Sequence, residues 1–245
     1  MQPHRSIYWL NAKPDEKKEE RIADVCNIYH NISQKKDELT ISTDEMTGIQ
    51  ALETIAKDLP MSAGKPLARE FEYKRHGTQT LIGGFNIATG EAYGLCGDTR
   101  TEEDFSAFIE HTIKKYPYYK KYHFVLDQLN THKSETLVRL VAKYSNDTQV
   151  LGEKGKSGIL KSMKTREEYL LNHKHKIVFH YTPKHCSWLN QIEIWFGIVM
   201  QKVIKRGCFK SQKDLKEKIL AFIDYFNETM AKPFKWTYRG KPLSQ

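Results

Sequence analysis

The sequence predicts an α/β fold in which helices flank a mixed β-sheet. Two observations favour this class. Short β-rich segments alternate along the chain with longer segments whose apolar residues recur every three to four positions. The chain has 245 residues, of which 39% are hydrophobic, and this is enough to bury a core. We therefore expect a folded α/β protein and exclude a disordered tail.

Charge and cysteine content narrow the expected partner and compartment. The 39 Lys and Arg residues outnumber the 30 Asp and Glu residues, for a net charge of +9, which favours nucleic acid over membrane as a partner. The four cysteines form no CxxC pair, so neither a zinc site nor a disulfide framework is indicated. No segment approaches the roughly 20 apolar residues of a membrane span. We expect a cytoplasmic protein with no membrane partner.

The first half of the chain predicts three strands before the first core helix. Asp44 sits at the carboxyl end of the first strand, and Gly48 supplies a turn just after it. Glu45 should point away from Asp44, because side chains alternate along an extended chain. The elements predicted ahead of Asp127 are a helix within 15–32, a strand at 38–42, a hairpin of strands at 78–87 and 91–96, and a helix capped by Thr101.

The second half predicts two further strands and three helices. Asp127 directly follows a compact apolar strand, just as Asp44 follows the first. The elements predicted there are a strand at 121–126, a helix at 134–144, a polar basic insertion at about 145–176, a strand at 177–181, a helix opening near Ser187, and a last amphipathic helix through 215–226. This order is that of a ribonuclease-H-like, or retroviral-integrase-like, mixed sheet flanked by helices, with an insertion before the last core helix.

Three carboxylates in this order suit phosphodiester chemistry. Asp44 and Asp127 follow strands that would meet at one edge of the sheet, and Glu193 lies on the helix predicted to cross that edge. Gly197, one helical turn after Glu193, leaves room for a bulky ligand. Magnesium is bound by oxygen ligands, of which usually only a few are protein carboxylates. Phosphodiester cleavage uses two such ions. Taken singly, each residue has a simpler interpretation as a turn, cap or exposed helix residue.

Three sequence strings then carry a resemblance to a known family. TDEMTG, FVLDQLNTH and above all HYTPKHCSWLNQIEIWFG resemble the acidic signatures of the insertion-sequence 630 transposases, the bacterial branch of the mariner-like superfamily. The resemblance extends from about Tyr8 through Pro242. It implies that Asp44, Asp127 and Glu193 are catalytic residues that hold two Mg²⁺ ions, with Mn²⁺ as a substitute.

The resemblance also implies partners and supporting residues. Asn130, His132 and Asn190 would support the metal ligands or face DNA. The partners would be double-stranded DNA, as transposon ends and target, and a second copy of the chain in a homodimer on DNA. Hydrolysis at the transposon ends would be followed by strand transfer into TA sites. The compartment would be the bacterial cytoplasm, in association with the nucleoid.

The resemblance divides the chain into three parts. A linker and N-terminal helical segment (1–36) precedes a ribonuclease-H-like catalytic domain (37–230), and a basic and aromatic tail (231–245) ends the chain. The interval between Asp127 and Glu193 is longer than in compact members of the family, and the segment 145–176 accounts for the surplus. The helix-turn-helix region with which the family recognises DNA is expected outside this chain.

Basic side chains are candidate DNA contacts, although a run of charge is usually a solvated surface. The candidates are Lys154, Lys156, Lys161, Lys164, Arg166, Lys184, Lys235 and Arg239. A metal site made of His132, His180 and His185 is the weaker alternative, because Mg²⁺ prefers oxygen. Two other functions stay open at this point: another ribonuclease-H-like nuclease, and a non-catalytic DNA-binding module derived from a transposase.

Overall fold

The computed structural model describes residues 15–32 and 36–240. In that part of the chain, five strands form one mixed sheet in the order β3-β2-β1-β4-β5. The strands are β1 (Glu38–Thr54), β2 (Tyr73–Asn86), β3 (Ala92–Gly97), β4 (Lys121–Leu126) and β5 (Ile177–Tyr181). The helices are α1 (Lys18–Asn31), α2 (Glu102–Lys115), α3 (Glu135–Ser145), α4 (Met163–Leu170), α5 (Ile192–Val199) and α6 (Gln212–Thr229). The predicted mixed sheet with flanking helices is confirmed.

The pairing within the sheet divides it into two halves. Strand β1 pairs antiparallel with β2, and β2 with β3, as the predicted hairpin requires. On its other side β1 pairs parallel with β4, and β4 with β5. The junction between the antiparallel and parallel halves therefore runs along β1, the strand that carries Asp44.

The expected end of the first strand was wrong. We expected a strand at 38–42 and a turn at Gly48, but β1 continues to Thr54. Its pairing with β2 shifts register between Met46 and Ile49, and Gly48 lies in that bulge with a φ of +65°. A long antiparallel partner thus converts a local turn signal into a bulge. Asp44 lies inside β1, two residues after the last parallel pair, Ser42 with Val125.

The two faces of the sheet bury separate apolar clusters because side chains alternate along each strand. On one face, Val125 and Phe85 pack with residues of α1, α5 and α6, including Trp195. On the other face, Ile41 and Phe124 pack with residues of α2 and α3. The helices thus cover both faces, as the predicted fold class requires.

The first core helix begins where the sequence predicts. The Thr101 hydroxyl accepts a hydrogen bond from the Asp104 N–H at 3.2 Å, and the Asp104 carboxylate accepts one from the Thr101 N–H at 2.8 Å. This reciprocal capping box satisfies two backbone donors that a helix start otherwise leaves unpaired. In the resulting helix, Phe105 and Phe108 are fully buried in the core.

The segment 145–176 is packed against the domain. It contains a short 3₁₀ turn at Ile159–Lys161 and helix α4, and both Leu160 and Leu170 are fully buried. Their burial joins the segment to the apolar cluster under α2 and α3. That the segment is an insertion relative to shorter relatives stays a prediction.

An arm between β1 and β2 has no counterpart in the sequence predictions. Residues 55–72 extend the hairpin beyond the sheet, with two isolated bridges, Leu59 to Ala68 and Ser62 to Lys65. Several large apolar side chains along it are exposed, among them Met61 and Phe71. The arm thus projects from the end of the β1–β2 pair. Asp44 lies near the middle of β1 in the same pair.

The residues after α6 return across the sheet. Phe234 stacks on Phe85 with ring centroids 4.5 Å apart, and Trp236 meets Tyr29 edge to face at 4.9 Å. The aromatic half of the predicted tail therefore packs against the domain. Residues 1–14, 33–35 and 241–245 lie outside the described residues. They include parts of the predicted N-terminal segment and tail, and both limits of the family resemblance. Within the described ranges, no helix is long and apolar enough to cross a membrane.

Candidate active site

Asp44 and Asp127 are brought together by the parallel pairing of β1 and β4. The last paired residues are Ser42 and Val125. Asp44 follows two residues after Ser42 within β1, and Asp127 follows two residues after Val125, just beyond the end of β4. Continuing this register places the two carboxylates side by side at the junction of the two halves of the sheet. Their charges interact, because Asp127 is one of the groups that raise the pKa of Asp44.

The two carboxyl groups lie in unequal surroundings. Burial, reinforced by the negative charge of Asp127, raises the pKa of Asp44 to about 7. Burial also acts to raise the pKa of Asp127, but a hydrogen bond and positive charge from His132 outweigh it and hold that pKa below its usual value. Two interacting carboxyls with opposite shifts are typical of functional sites.

Asn190 fixes Asp44 and the start of α5 to the same strand. Its side chain is fully buried, and its Nδ2 donates to the Thr43 carbonyl at 3.0 Å and to Asp44 Oδ2 at 3.3 Å. Its Oδ1 accepts from the Ser42 hydroxyl, whose oxygen accepts from the Ile192 N–H at 2.8 Å. Of the two roles expected for Asn190, these contacts favour support of a proposed metal ligand over a position facing DNA.

Glu193 lies in the first turn of α5, directly after Ile192, and its side chain is exposed. Partial burial and the charge of Asp127 raise its pKa, so its carboxylate interacts electrostatically with Asp127. A side chain at Gly197 would meet nothing within 4 Å, which leaves the surface beside Glu193 open. In the described part of the chain, no three His, Cys, Asp or Glu side chains already enclose a space for a metal ion.

His132 is fully buried and contacts two carboxylates of the site. Its Nδ1 lies 2.8 Å from Asp127 Oδ1 and its Nε2 lies 3.2 Å from Glu45 Oε1. Burial acts to lower the pKa of His132, but hydrogen bonds to the two carboxylates outweigh it and raise that pKa to about 10. The raised pKa favours the protonated ring between the two carboxylates, and Nδ1 also lies 3.3 Å from the backbone carbonyl oxygen of Asp127. This position fits support of Asp127 and excludes direct contact with DNA.

Glu45 is a residue that the sequence reasoning missed. The alternation of side chains points it away from Asp44, as expected, but on the other face of β1 it reaches the ring of His132. The usable signal was the combination of an acidic residue directly after Asp44 with a histidine five residues after Asp127.

Comparison with known proteins agrees with this geometry. A family model described as DDE superfamily endonuclease matches residues 16–216. The chain belongs to the DDE endonuclease superfamily. Among curated proteins, none matches this sequence at a significant level.

Solved structures show the fold of this DDE endonuclease. The Mos1 mariner paired-end complex with Mn is 12% identical, with a TM-score of 0.51, and the match covers 93% of this chain and 60% of that one. The Mos1 transposase catalytic domain with Raltegravir and Mg is 13% identical, with a TM-score of 0.46, over 94% of this chain and 90% of that one. The chain spans about three fifths of the length of the first structure. The ribonuclease-H-like fold is confirmed, and membership of the insertion-sequence 630 family stays a prediction.

The basic residues of this DDE endonuclease differ in what they contact. Arg166 is occupied within the protein, because its Nε donates to the Lys133 carbonyl at 2.7 Å and its Nη1 to the Leu160 carbonyl at 3.2 Å. Lys154 pairs with Glu102 at 3.2 Å, and Lys156 pairs with Glu153 at 2.9 Å. The remaining candidates are all exposed: Lys161, Lys164, Lys184, Lys235 and Arg239. Asn130 is also exposed, at the start of a 3₁₀ turn.

The alternative histidine metal site does not form. His180 is bonded elsewhere, with its Nδ1 2.7 Å from Asp24 Oδ2 and its Nε2 2.9 Å from His123 Nδ1. His185 is exposed, and its φ is +59°. The described residues therefore hold no cluster of His132, His180 and His185 around a common point.

Proposed function

We propose that this chain is the catalytic part of a DNA transposase whose catalytic residues are Asp44, Asp127 and Glu193. The observation that carries the proposal is the placement of Asp44 beside Asp127 where the parallel pairing of β1 and β4 ends, with the first turn of α5 anchored over β1. Open α/β sheets bind their ligands at the carboxyl ends of such strands. Membership of the DDE endonuclease superfamily supports phosphodiester cleavage as the reaction class.

The residues present fit divalent cations. Carboxylate oxygens are the ligands that Mg²⁺ prefers. Burial is the main cause of the raised pKa of Asp44, and the negative charge of Asp127 adds to it, so a bound cation would favour the ionised form. Asp44, Asp127 and Glu193 would hold two Mg²⁺ ions, or Mn²⁺ in their place. When bound, such ions supply charge stabilisation for both the attacking and the leaving oxygen of a phosphodiester.

The chain's own residues orient the ligands. Asn190 holds one carboxylate oxygen of Asp44, and His132 holds one of Asp127. In the proposed hydrolysis, a water oxygen bonds to phosphorus and the bond to the 3′ oxygen breaks, which leaves a 3′-OH and a 5′-phosphate. In strand transfer, that 3′ oxygen attacks a target phosphodiester and displaces its 3′ oxygen. No protein nucleophile takes part in either step.

The substrate of the proposed function is double-stranded DNA, as transposon ends and as target. The net charge of +9 and the exposed lysines and arginine support a polyanionic partner. The similar solved structures are described as paired-end and strand-transfer complexes of Mos1. We extend this to a homodimer in which each copy holds one transposon end, and to insertion at TA steps, which are easily deformed.

Strand transfer is the test that separates this function from its rivals. Pre-cut transposon-end DNA, a target plasmid and Mg²⁺ are incubated with the chain, supplied with a DNA-recognition region if binding requires one. Joined product is expected from the wild type and not from Asp127→Asn, while the matched control Asp224→Asn, an exposed aspartate on α6, retains activity. Cleavage without joining would favour another ribonuclease-H-like nuclease. DNA binding with neither reaction would favour a non-catalytic module.

A further inference from the structure

Glu45, His132 and Asp127 form a continuous row of side chains that runs from the protein interior to the edge of the sheet. Only 3% of the Glu45 side chain and none of His132 is exposed, whereas 41% of Asp127 is exposed. Glu45 Oε1 lies 3.2 Å from Nε2 of the ring, and Asp127 Oδ1 lies 2.8 Å from Nδ1. The orientation of the ring is thus set at both nitrogens.

The surroundings of the ring hold it in this orientation. Phe105 packs against it with ring centroids 4.2 Å apart. The Tyr181 hydroxyl donates to the His132 carbonyl at 2.7 Å, which fixes the backbone that carries the ring. A ring restrained on its face, at its backbone and at Nε2 presents Nδ1 to Asp127, where it lies 2.8 Å from Oδ1 and 3.3 Å from the backbone carbonyl oxygen of the same residue.

Of the two carboxylate oxygens of Asp127, the ring contacts Oδ1. The Leu129 N–H also donates to Oδ1, at 2.9 Å, so two donors meet on the same atom. Within the described residues no hydrogen bond uses Asp127 Oδ2. With Oδ1 held from behind, Oδ2 is the oxygen that remains for a ligand at the exposed edge.

Glu45 is the far end of this row. A carboxylate with so little exposure is costly to bury unless a partner offsets its charge, and His132 is that partner. Side chains that orient a ligand from behind commonly affect metal affinity by about 10- to 100-fold. Because Glu45 follows Asp44 on β1, one strand supplies a proposed metal ligand on one face and a support for the second ligand on the other.

We propose that Glu45 is a positioning residue that acts through His132 to orient Asp127 Oδ2 for metal binding. This role rests on the proposed function, because it assumes that Asp127 is a metal ligand. It assigns to Glu45 an effect on metal affinity, which a residue needed only for folding does not have.

Manganese binding in the absence of DNA is the direct test. The binding of Mn²⁺ to the purified chain is titrated by electron paramagnetic resonance, and the thermal midpoint of each variant is measured alongside. Glu45→Ala and Glu45→Asp, which is one methylene too short to reach the ring, are each expected to weaken Mn²⁺ binding about 10- to 100-fold. Glu45→Gln keeps an oxygen acceptor at Nε2 and is expected to restore near wild-type binding.

A second carboxylate–histidine pair on the same strand provides the matched control. Glu53 lies 2.7 Å from His76, away from the two aspartates, and Glu53→Ala is expected to leave Mn²⁺ binding unchanged. The concentration of Mg²⁺ that gives half-maximal cleavage should rise in Glu45→Ala and Glu45→Asp. The cleavage rate at saturating Mg²⁺ should change less than this concentration does.

The outcomes separate the two proposals. Wild-type affinity in a folded Glu45→Asp variant would overturn the role of Glu45, and so would a Glu45→Gln variant as weak as Glu45→Ala. If Glu45→Ala fails to fold, the Glu45→Asp and Glu45→Gln pair decides the question. A wild-type chain that binds no Mn²⁺ would instead contradict the proposed function itself.

Discussion

The side-chain amide of Asn190 donates to the carboxylate of Asp44 at 3.3 Å and to the carbonyl of Thr43 at 3.0 Å. A single buried amide therefore ties the start of α5 to the strand that carries the first aspartate. Through this contact the helix of Glu193 and the strand of Asp44 are held in one arrangement, although the two residues are far apart in the sequence.

Asn190→Ala is expected to lower both stability and activity. The substitution removes the donors to Thr43 and Asp44 and leaves buried polar groups unpaired, which costs on the order of 1–3 kcal/mol of unfolding free energy. Urea unfolding monitored by circular dichroism measures the loss. The exposed Asn130 is the matched control, and Asn130→Ala should change stability little. Equal stability of the two variants would contradict the role given to Asn190.

The unfolding free energy of the metal-free chain is expected to depend on pH through Asp44. Its pKa is about 7 in the folded chain against a usual value of 3.8, so between these values the folded state binds a proton that the unfolded state lacks. The contribution of this carboxyl therefore falls as pH rises from about 4 to 7, by about 1.4 kcal/mol for each unit of pKa shift. Asp44→Asn should reduce this loss.

Chemical denaturation at several pH values, in the presence of a chelator, measures this effect. Asp37→Asn is the control, because Asp37 is an exposed aspartate on the loop before β1. A wild-type curve that matches Asp44→Asn over this range would show that Asp44 has an ordinary pKa.

Divalent cations are expected to raise the thermal midpoint of the wild-type chain at pH 8. A ligand that binds only the folded state stabilises it in proportion to the logarithm of its concentration above the Kd. Asp44→Asn and Asp127→Asn should remove the effect of Mg²⁺ or Mn²⁺, whereas Asp224→Asn should retain it. A rise of the same size in all four proteins would indicate nonspecific ion binding.

Arg166 and Lys164 are expected to differ although they are close in the sequence. Arg166→Ala removes donors to the carbonyls of Lys133 and Leu160 and should lower stability. Lys164 is exposed, and Lys164→Ala should leave stability unchanged. If Lys164 contacts a phosphate, its loss reduces the slope of log affinity against log salt by about one. Fluorescence anisotropy with a DNA duplex at several salt concentrations measures that slope.

Local sequence patterns predicted the elements whose signals are complete within a few residues. Strands β4 and β5 were predicted at 121–126 and 177–181, and both are observed there. The cap at Thr101 is likewise confirmed. These elements depend on short apolar runs and on contacts between neighbours in the chain.

Long-range pairing explains what the sequence could not predict. The continuation of β1 to Thr54 depends on β2, which begins at Tyr73, and that partner overrides the turn signal of Gly48. The contact of Glu45 with His132 joins two residues that are far apart in the sequence. No periodicity in the sequence predicts such a contact. Arg166 was a candidate for DNA contact because its charge is visible in the sequence, whereas the carbonyls that occupy it are not.

We propose that Asp44, Asp127 and Glu193 together hold the metal ions used to cleave DNA. Anomalous diffraction from crystals of the chain containing Mn²⁺ tests it most directly. We expect two anomalous peaks about 3.5–4 Å apart when DNA is bound, with oxygens of all three residues as ligands. Bound Mn²⁺ that contacts neither Asp44 nor Asp127, or a third ligand other than Glu193, would contradict it.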